Sequence, residues 1–311
     1  MSLLEIKNLK VHYPIRGGFF NKVVDHVYAV DGVSMVIEQG KTYGLIGESG
    51  SGKSTIGKTI IGLEKATAGE ILYNGKNILD PKVRKEMKFN REVQMIFQDS
   101  MSSLNPKKRV LDILAEPIRN FEKLSKEAEK EKIYELLEIV GMPKDSIYKY
   151  PHEFSGGQRQ RLGIARAIAC KPKLIIADEP VSALDLSVQA QVLNYLKNIQ
   201  RELNLSYIFI SHDLGVVRHM CDYIYIMHRG KFTETGTRED IYKDARHIYT
   251  KRLIASIPQI NPEAREELKQ RREDVEKEYE KLYSQFYDKN GKVFDLEKIS
   301  ETHSVASSTK I

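Results

Sequence analysis

The chain has 311 residues, 41% hydrophobic and 30% charged, a composition that supports a full core in one large domain or two modest ones and excludes wholesale disorder. No apolar run approaches the ~18 residues a membrane helix needs, and the first ten residues alternate apolar and polar side chains, unlike a secretory signal. Cys170 and Cys221 form no CxxC pair, which argues against a disulfide framework, a zinc ribbon or an iron–sulfur centre and for a reducing compartment, while the net charge of +6 fits nucleic acid, an anionic membrane surface or simply a lysine-rich solvated surface.

Taken in chain order, the first third predicts strands. Leu4, Ile6, Leu9 and Val11 open the chain, and Val33, Met35 and Ile37 recur at period two. Gly40 turns the chain into a short apolar strand, Thr42–Gly47, that runs into a glycine-rich loop. Ile56, Ile60 and Ile61 follow at helical spacing. Glu70–Tyr73 with Asn74-Gly75 reads as a strand entering a hairpin turn, and Val93–Phe97 as a buried strand. From about residue 100 to 170 helical periodicity takes over. Ala128–Val140 carries Ile133, Leu136, Leu137 and Val140 on one face and stops at Gly141 and Pro143; Gln158–Ala169 is a second helix. Then come a strand at Leu174–Ala177, a helix at Val188–Leu203 with Val192, Leu196, Ile199 and Leu203 inward, and strands at Tyr207–Ile210 and Tyr223–Met227. Strand–helix–strand order predicts a parallel sheet covered on both faces, with the helical block inserted into it. Beyond Asn261 the stretch Glu263–Lys281 is dense in both charges, with Glu267/Arg271 and Glu273/Lys277 at i,i+4, and predicts a solvated accessory helix. The Ser/Thr-rich end, Ser300–Ile311, reads as loose.

Gly47, Glu48, Ser49, Gly50, Ser51, Gly52, Lys53, Ser54 and Thr55 match the phosphate-binding pattern GxxxxGK[ST] between an apolar strand and a helix. The glycines let backbone N–H groups turn inward on phosphates, and the helix presents its N-terminus to the same charge. Lys53 is expected on the β- and γ-phosphates and the Ser54 hydroxyl on Mg2+. A second signal is the apolar run Leu174–Ala177 ending in Asp178 and Glu179. Asp178 would hold Mg2+ directly or through water, and Glu179 would polarise an attacking water; the bland alternative is a pair of solvated acids capping a strand. The third is Phe154-Ser155-Gly156-Gly157-Gln158, a glycine-rich anion site at a helix start with Ser155 placed as N-cap. It makes sense if it closes over a nucleotide held by another subunit, and is otherwise an ordinary glycine turn.

A phosphate loop, an SGGQ signature and a strand-borne Asp-Glu, in this order, resemble the ATP-binding subunits of ABC transporters. The resemblance implies an α/β P-loop NTPase fold with a RecA-like core, an antiparallel β subdomain near the N-terminus and an inserted helical signature subdomain. It implies an ATP-binding domain over 1–257 and a C-terminal extension over 258–311. It also gives roles to further residues: Gln98 in Met95-Ile-Phe-Gln-Asp99 as the Q-loop glutamine that serves both catalysis and Mg2+, Asp185 in Ser182-Ala-Leu-Asp185 as the D-loop aspartate, and His212 as the switch histidine. Tyr13 lies where the family places an aromatic under adenine, with Tyr28 as its competitor.

Further stretches are similar to the oligopeptide, dipeptide and nickel importer branch: Ser103-Leu-Asn-Pro106, Ala115-Glu-Pro117, Tyr150 through Arg161, and His247-Ile-Tyr-Thr followed by Ala255-Ser-Ile-Pro258. Tyr13–Phe20 and Phe286-Tyr-Asp-Lys289 resemble its oligopeptide members. Phe154 departs from the commoner Leu, and Ser100 stands where the branch often has Pro. The resemblance implies ATP-driven import of oligopeptides, with ATP and Mg2+ bound in a head-to-tail dimer with a D-type ATP-binding subunit. Its other partners would be two permeases and an extracytoplasmic peptide-binding lipoprotein, with this chain peripheral on the cytoplasmic face of the plasma membrane and no nucleic acid involved. The rivals are a dipeptide or nickel importer and a soluble ABC ATPase acting on nucleic acid or ribosomes; a single cassette with a short tail argues against the latter. A non-hydrolysing scaffold is opposed by Glu179 and His212.

Overall fold

The computed structural model describes residues 2–99, 103–257 and 265–308. Ser100, Pro258, Asn261, Glu263 and positions 309–311 lie outside the described residues. In chain order the elements are strands β1 (Ser2–Gly17), β2 (Lys22–Glu38) and β3 (Thr42–Ile46), helix α1 (Lys53–Ile61), strands β4 (Ala68–Tyr73) and β5 (Lys76–Asn77), helices α2 (Pro81–Glu86) and α3 (Phe89–Glu92), and strand β6 (Val93–Ile96). Helices α4 (Val110–Phe121), α5 (Lys126–Ile139) and α6 (Gly156–Ile168) follow, then β7 (Leu174–Asp178), α7 (Leu186–Leu203), β8 (Ser206–Ser211), α8 (Leu214–Met220), β9 (Tyr223–His228) and β10 (Lys231–Thr237). Helices α9 (Arg238–Lys243), α10 (Ile248–Ala255) and α11 (Arg265–Phe286) and strands β11 (Leu296–Lys298) and β12 (Ser304–Ala306) complete the chain. They form two compact units, one of Glu38–Lys41 and Asp80–Ile208, the other of Ser2–Ile37, Thr42–Leu79 and Phe209–Ile311.

In the first unit β6 pairs in parallel with β7, Val93 opposite Leu174 and Ile96 opposite Ala177. The helices α4 to α6 lie between these two strands in sequence, which makes them the expected insertion. α4 buries Val110, Ile113, Leu114 and Ile118 at helical spacing and accommodates Pro117. α5 starts where Ser125 Oγ accepts from the Ala128 amide at 3.2 Å. α7 buries Val192, Leu196 and Ile199 as the periodicity predicts. Leu203 does not point inward: it is 36% exposed, in the last turn before Asn204 takes a left-handed φ of 50° and ends the helix.

The second unit contains the antiparallel sheet β2-β1-β4-β5. Leu4, Ile6, Leu9 and Val11 are all buried although their spacing breaks period two. The break is a bulge: Asn8 has φ 47°, and the register of β1 on β4 shifts between Lys7 and Lys10. Asn74 and Gly75, at φ 48° and 77°, make the hairpin between β4 and β5. In the other sheet of this unit β3 runs parallel to β9, Tyr43 opposite Tyr223 and Ile46 opposite Ile226. β10 pairs antiparallel with β9, and β12 with β10.

The C-terminal end corrects two expectations. Ser304–Ala306 is not loose: Val305 and Ala306 are fully buried on β10. The charged helix is solvated only over part of its length. Its last turns carry Tyr279, Leu282, Tyr283 and Phe286 at i,i+3/i+4 spacing, and these pack with Tyr287, Val293, Val305, Ala306 and Ile248 of α10. Glu278 and Glu276 of α11 meet Lys251 and Arg252 of α10 at 2.7 Å each. The charge density of the preceding turns hides this stripe from a composition-based reading.

Candidate active site

In the second unit, β3 delivers the chain to the Gly47–Thr55 loop. An added Cβ on Gly47 would stand 2.0 Å from the Met227 carbonyl oxygen, and one on Gly52 2.0 Å from that of Ala29. The backbone therefore approaches β9 and β2 more closely than any side chain permits. Gly52 is the N-cap of α1 at φ 110°, and no side chain caps that helix. Lys53 is 4% exposed. Its ammonium donates to the carbonyls of Gly47 and Glu48 at 2.7 Å each and to Ser51 Oγ at 3.3 Å. The loop thus wraps a cation, and its helix end favours an anion.

Tyr13 is 37% exposed on β1; burial and the nearby Glu64 carboxylate raise its pKa. The competing Tyr28 is engaged elsewhere: the Lys292 ammonium lies 4.8 Å from its ring centroid and the His12 ring packs edge-on at 4.7 Å. His212 is exposed in the bend after β8. Asp213 fixes the exit from that bend, its Oδ1 accepting from the amides of Gly215 at 2.7 Å and Val216 at 3.4 Å.

In the first unit, β7 ends in Asp178, which is 4% exposed. Glu179 follows with φ 46°, a left-handed conformation that a residue with a Cβ adopts at a cost. The kink turns its carboxylate off the strand line. There Oε2 accepts from Gln98 Nε2 at 2.9 Å, so Gln98 and the second strand acid are brought together. The Glu179 carbonyl also accepts from the Ser182 hydroxyl at 3.2 Å, which ties the strand end to the Ser182–Asp185 turn. Asp185 occupies the N-cap position of α7 without making a side-chain cap bond, and Leu186 beside it is 82% exposed.

Ser155 caps α6 as its sequence predicts, in a reciprocal box: its Oγ accepts from the Gln158 backbone amide at 3.3 Å and the Gln158 side-chain Oε1 accepts from the Ser155 backbone amide at 2.9 Å. Gly157 meets Val188 Cγ1 at 2.4 Å if given a Cβ, whereas Gly156 meets only Leu184 Cδ2 at 3.8 Å. Gly157 is needed for packing within the chain; at Gly156 space is open.

Two further buried residues have no chemical role legible in the sequence. Tyr249, fully buried, accepts from the Glu48 amide at 3.0 Å. Glu234, fully buried, accepts from the amides of Arg246 and His247 at 2.7 and 3.1 Å.

Residues 30–182 match the ABC transporter family model, and residues 233–294 match the model described as oligopeptide/dipeptide transporter, C-terminal region. The chain is 58% identical over 302 residues to the oligopeptide transport ATP-binding protein OppF of Lactococcus lactis subsp. lactis, covering 97% of this chain and 95% of that one. It is 45% identical to OppF of Bacillus subtilis, with 98% and 95% covered, and 46% identical to the dipeptide transport ATP-binding protein DppF of Escherichia coli, with 85% and 79% covered. Among solved structures, it superposes with a TM-score of 0.67 at 27% identity on the ATP-binding cassette MJ0796 in a dimeric post-hydrolysis state bound to ADP and Pi, covering 76% of this chain and 98% of that one. With cbiO1 of Clostridium perfringens the TM-score is 0.66 at 26% identity, with 78% and 91% covered. The fold is that of an ABC ATPase cassette.

Proposed function

The chain belongs to the ATP-binding subunits of ABC transporters, and from that premise we propose that it binds and hydrolyses ATP to energise the import of oligopeptides. The observation that carries the hydrolytic reading is the Gln98–Glu179 pair. A carboxylate kinked off the end of a strand and anchored through one oxygen by an amide is oriented to position a water. The peptide substrate is supported by the 58% identity to OppF of Lactococcus lactis over nearly the whole chain, greater than the 46% to DppF of Escherichia coli.

In this reading Lys53 and the backbone of Gly47, Glu48, Ser49, Gly50, Ser51, Gly52, Ser54 and Thr55 hold the phosphates, and the Tyr13 ring lies against the base. The Ser54 hydroxyl, the Gln98 amide oxygen and the Asp178 carboxylate are each hard oxygen donors of the kind Mg2+ takes, and the family resemblance assigns these residues to it. When bound, the cation neutralises charge on the β- and γ-phosphates. Glu179 takes up the proton of the attacking water, and His212 faces the nucleotide from the bend after β8. Ser155, Gly156, Gly157, Gln158 and Asp185 act on the nucleotide of a second cassette in a head-to-tail dimer, to which exposed Leu186 adds apolar surface. The second cassette is a D-type subunit, and both rest on two permeases that receive peptide from a binding lipoprotein. Among the described residues no helix is long and apolar enough to cross a membrane, and we place the chain on the cytoplasmic face through those permeases. The cassette is assigned to 1–257 and the extension to 258–311.

The test is peptide uptake into vesicles bearing the assembled transporter. Lys53→Ala removes the cation that the loop wraps, so ATP affinity falls at least tenfold and ATP-driven uptake stops. Unchanged nucleotide binding overturns the role of the loop. ATP-dependent uptake of dipeptides or nickel in preference to longer peptides overturns the substrate.

A further inference from the structure

The phosphate loop is held from behind by a residue of the C-terminal region, and the contact falls on the peptide unit that also holds Lys53. The peptide joining Gly47 to Glu48 has two polar groups. Its carbonyl, on Gly47, accepts from Lys53 Nζ at 2.7 Å; its N–H, on Glu48, donates to Tyr249 Oη at 3.0 Å. One bond on each side fixes the peptide plane, and rotation of that plane would release the ammonium from one of its two carbonyl anchors.

Tyr249 is itself held rigidly. It is fully buried, on the first turn of α10, where its amide donates to His247 Nδ1 at 3.0 Å. That bond requires an unprotonated Nδ1, and burial, aided by His228, pushes the His247 pKa down to about 3. His247 Nε2 then carries the hydrogen. It has no conventional hydrogen-bond partner among the described residues, and the ring packs edge-on at 4.6 Å from Phe286 and 5.6 Å from Tyr287. The Tyr249 ring stacks on His228 at 4.2 Å and 12°. His228 Nδ1 is 2.9 Å from Tyr287 Oη, and Tyr287 stacks on Tyr283 at 4.5 Å. The Tyr283 hydroxyl accepts from Arg229 at 3.0 Å. An unbroken series of ring and hydrogen-bond contacts therefore runs from the Glu48 amide to the end of α11.

We propose that Tyr249 is a positioning residue for the phosphate loop, and that Tyr287 in the C-terminal extension supports it through His228. The proposal rests on the reading of Gly47–Thr55 as the ATP site. Its content is that ATP affinity is set in part by a segment that touches no part of the nucleotide. The loop is preorganised by the Tyr249 hydroxyl, and without it ATP binding must first order the Gly47–Glu48 peptide and Lys53. By linkage, ATP binding in turn protects the extension from local opening.

The test uses the full-length chain, titrated with ATP and Mg2+ by calorimetry, with amide exchange and nucleotide-free melting measured beside it. Tyr249→Phe keeps the ring on His228 and removes only the acceptor. The expected result is a rise in Kd of about fivefold, faster exchange in peptides spanning Gly47–Ser51, and a nucleotide-free melting temperature close to that of the parent. Tyr287→Phe, which removes the bond to His228, raises Kd about twofold with the same exchange signature. Lys53→Ala is the control for the site itself. If Lys53→Ala abolishes binding while Tyr249→Phe leaves Kd and exchange unchanged, the positioning role is overturned and the ATP site stands. If Lys53→Ala binds ATP normally, the reading of the loop fails first. A large drop in nucleotide-free melting temperature for Tyr249→Phe, with exchange raised throughout the chain, makes the hydroxyl a folding contact and also overturns the proposal.

Discussion

Replacing Glu179 by Gln separates its charge from its shape. The two side chains are alike in length and in branching at Cβ, so the left-handed backbone at φ 46° holds either at the same cost. Gln98 Nε2, which donates to Oε2 at 2.9 Å, still finds an acceptor once the new amide turns its oxygen toward it. Stability should therefore stay within about 0.5 kcal/mol of the parent, the range of an ordinary surface substitution. With Glu179 as the proposed general base, the chemical step loses about 10²–10⁴-fold, or about 3–5 kcal/mol of barrier. The assay is single-turnover hydrolysis of ATP by the assembled transporter, with the partner's site separately disabled and ATP affinity measured on the same preparation. The expected outcome is affinity within twofold of the parent and a hydrolysis rate at least a hundredfold lower, with the cassettes trapped closed on ATP. Turnover above a tenth of the parent's, with binding intact, removes Glu179 from the mechanism. Equal losses of binding and turnover point to a disturbed strand end instead.

The two signature glycines give opposite phenotypes. A methyl group on Gly157 would stand 2.4 Å from Val188 Cγ1, so Gly157→Ala should lose about 1–3 kcal/mol in denaturant unfolding and recover when Val188→Ala is added; no recovery refutes the packing account. Gly156→Asp has room, with only Leu184 at 3.8 Å, and an acid near a helix N-terminus is tolerated. It should fold normally, keep azido-ATP labelling of this chain, and lose ATP-dependent cross-linking to the partner cassette. Loss of the labelling with closure preserved would make the signature act on its own nucleotide. His303 predicts a pH dependence of the tail. Burial alone would lower its pKa, but its 2.7 Å bond to Glu234 outweighs this and raises it above the ordinary value. The stabilisation is then complete below pH ~6.5 and lost as pH rises through the raised value. Exchange protection around Ser304–Ala306, corrected for intrinsic rates, should be stronger at pH 6 than at pH 9, and His303→Gln should flatten the difference; equal protection in the unmodified chain refutes it.

Legibility of the fold followed the range over which the determining contacts act. Val33, Met35 and Ile37 are buried at the period their spacing gives. The Asn74-Gly75 turn forms where the only requirement is two consecutive residues that tolerate positive φ. The β1 pattern was readable as strand, but its change of face at Asn8 was not, because a bulge is a property of the pairing with β4 and leaves no mark on one strand alone. β12 is not legible for the same reason. Val305 and Ala306 are a very short apolar run, and what makes them a strand is the open edge of β10 and the buried Glu234 that receives His303.

The site divides along the same line. The phosphate loop is legible because one contiguous stretch must supply the turn, the cation and the hydroxyl. Asp178 and Glu179 are legible as a strand ending in acids, yet the kink that aims Glu179 at Gln98 appears only in the backbone, 81 positions away from its partner. Tyr249 is the extreme case. Its hydroxyl meets a group 201 residues earlier in the chain, and in sequence it is one aromatic in a short stretch that signals a branch and no chemistry. Glu234, His247 and Tyr287 share its position, all within the matched C-terminal region and all buried. A surface appendage would not bury a carboxylate and a neutral histidine, since each is expensive without partners. Their partners are the amides that begin α10 and the rings that end α11, so the energy that folds this C-terminal region is also the energy that holds Tyr249 against the Glu48 amide.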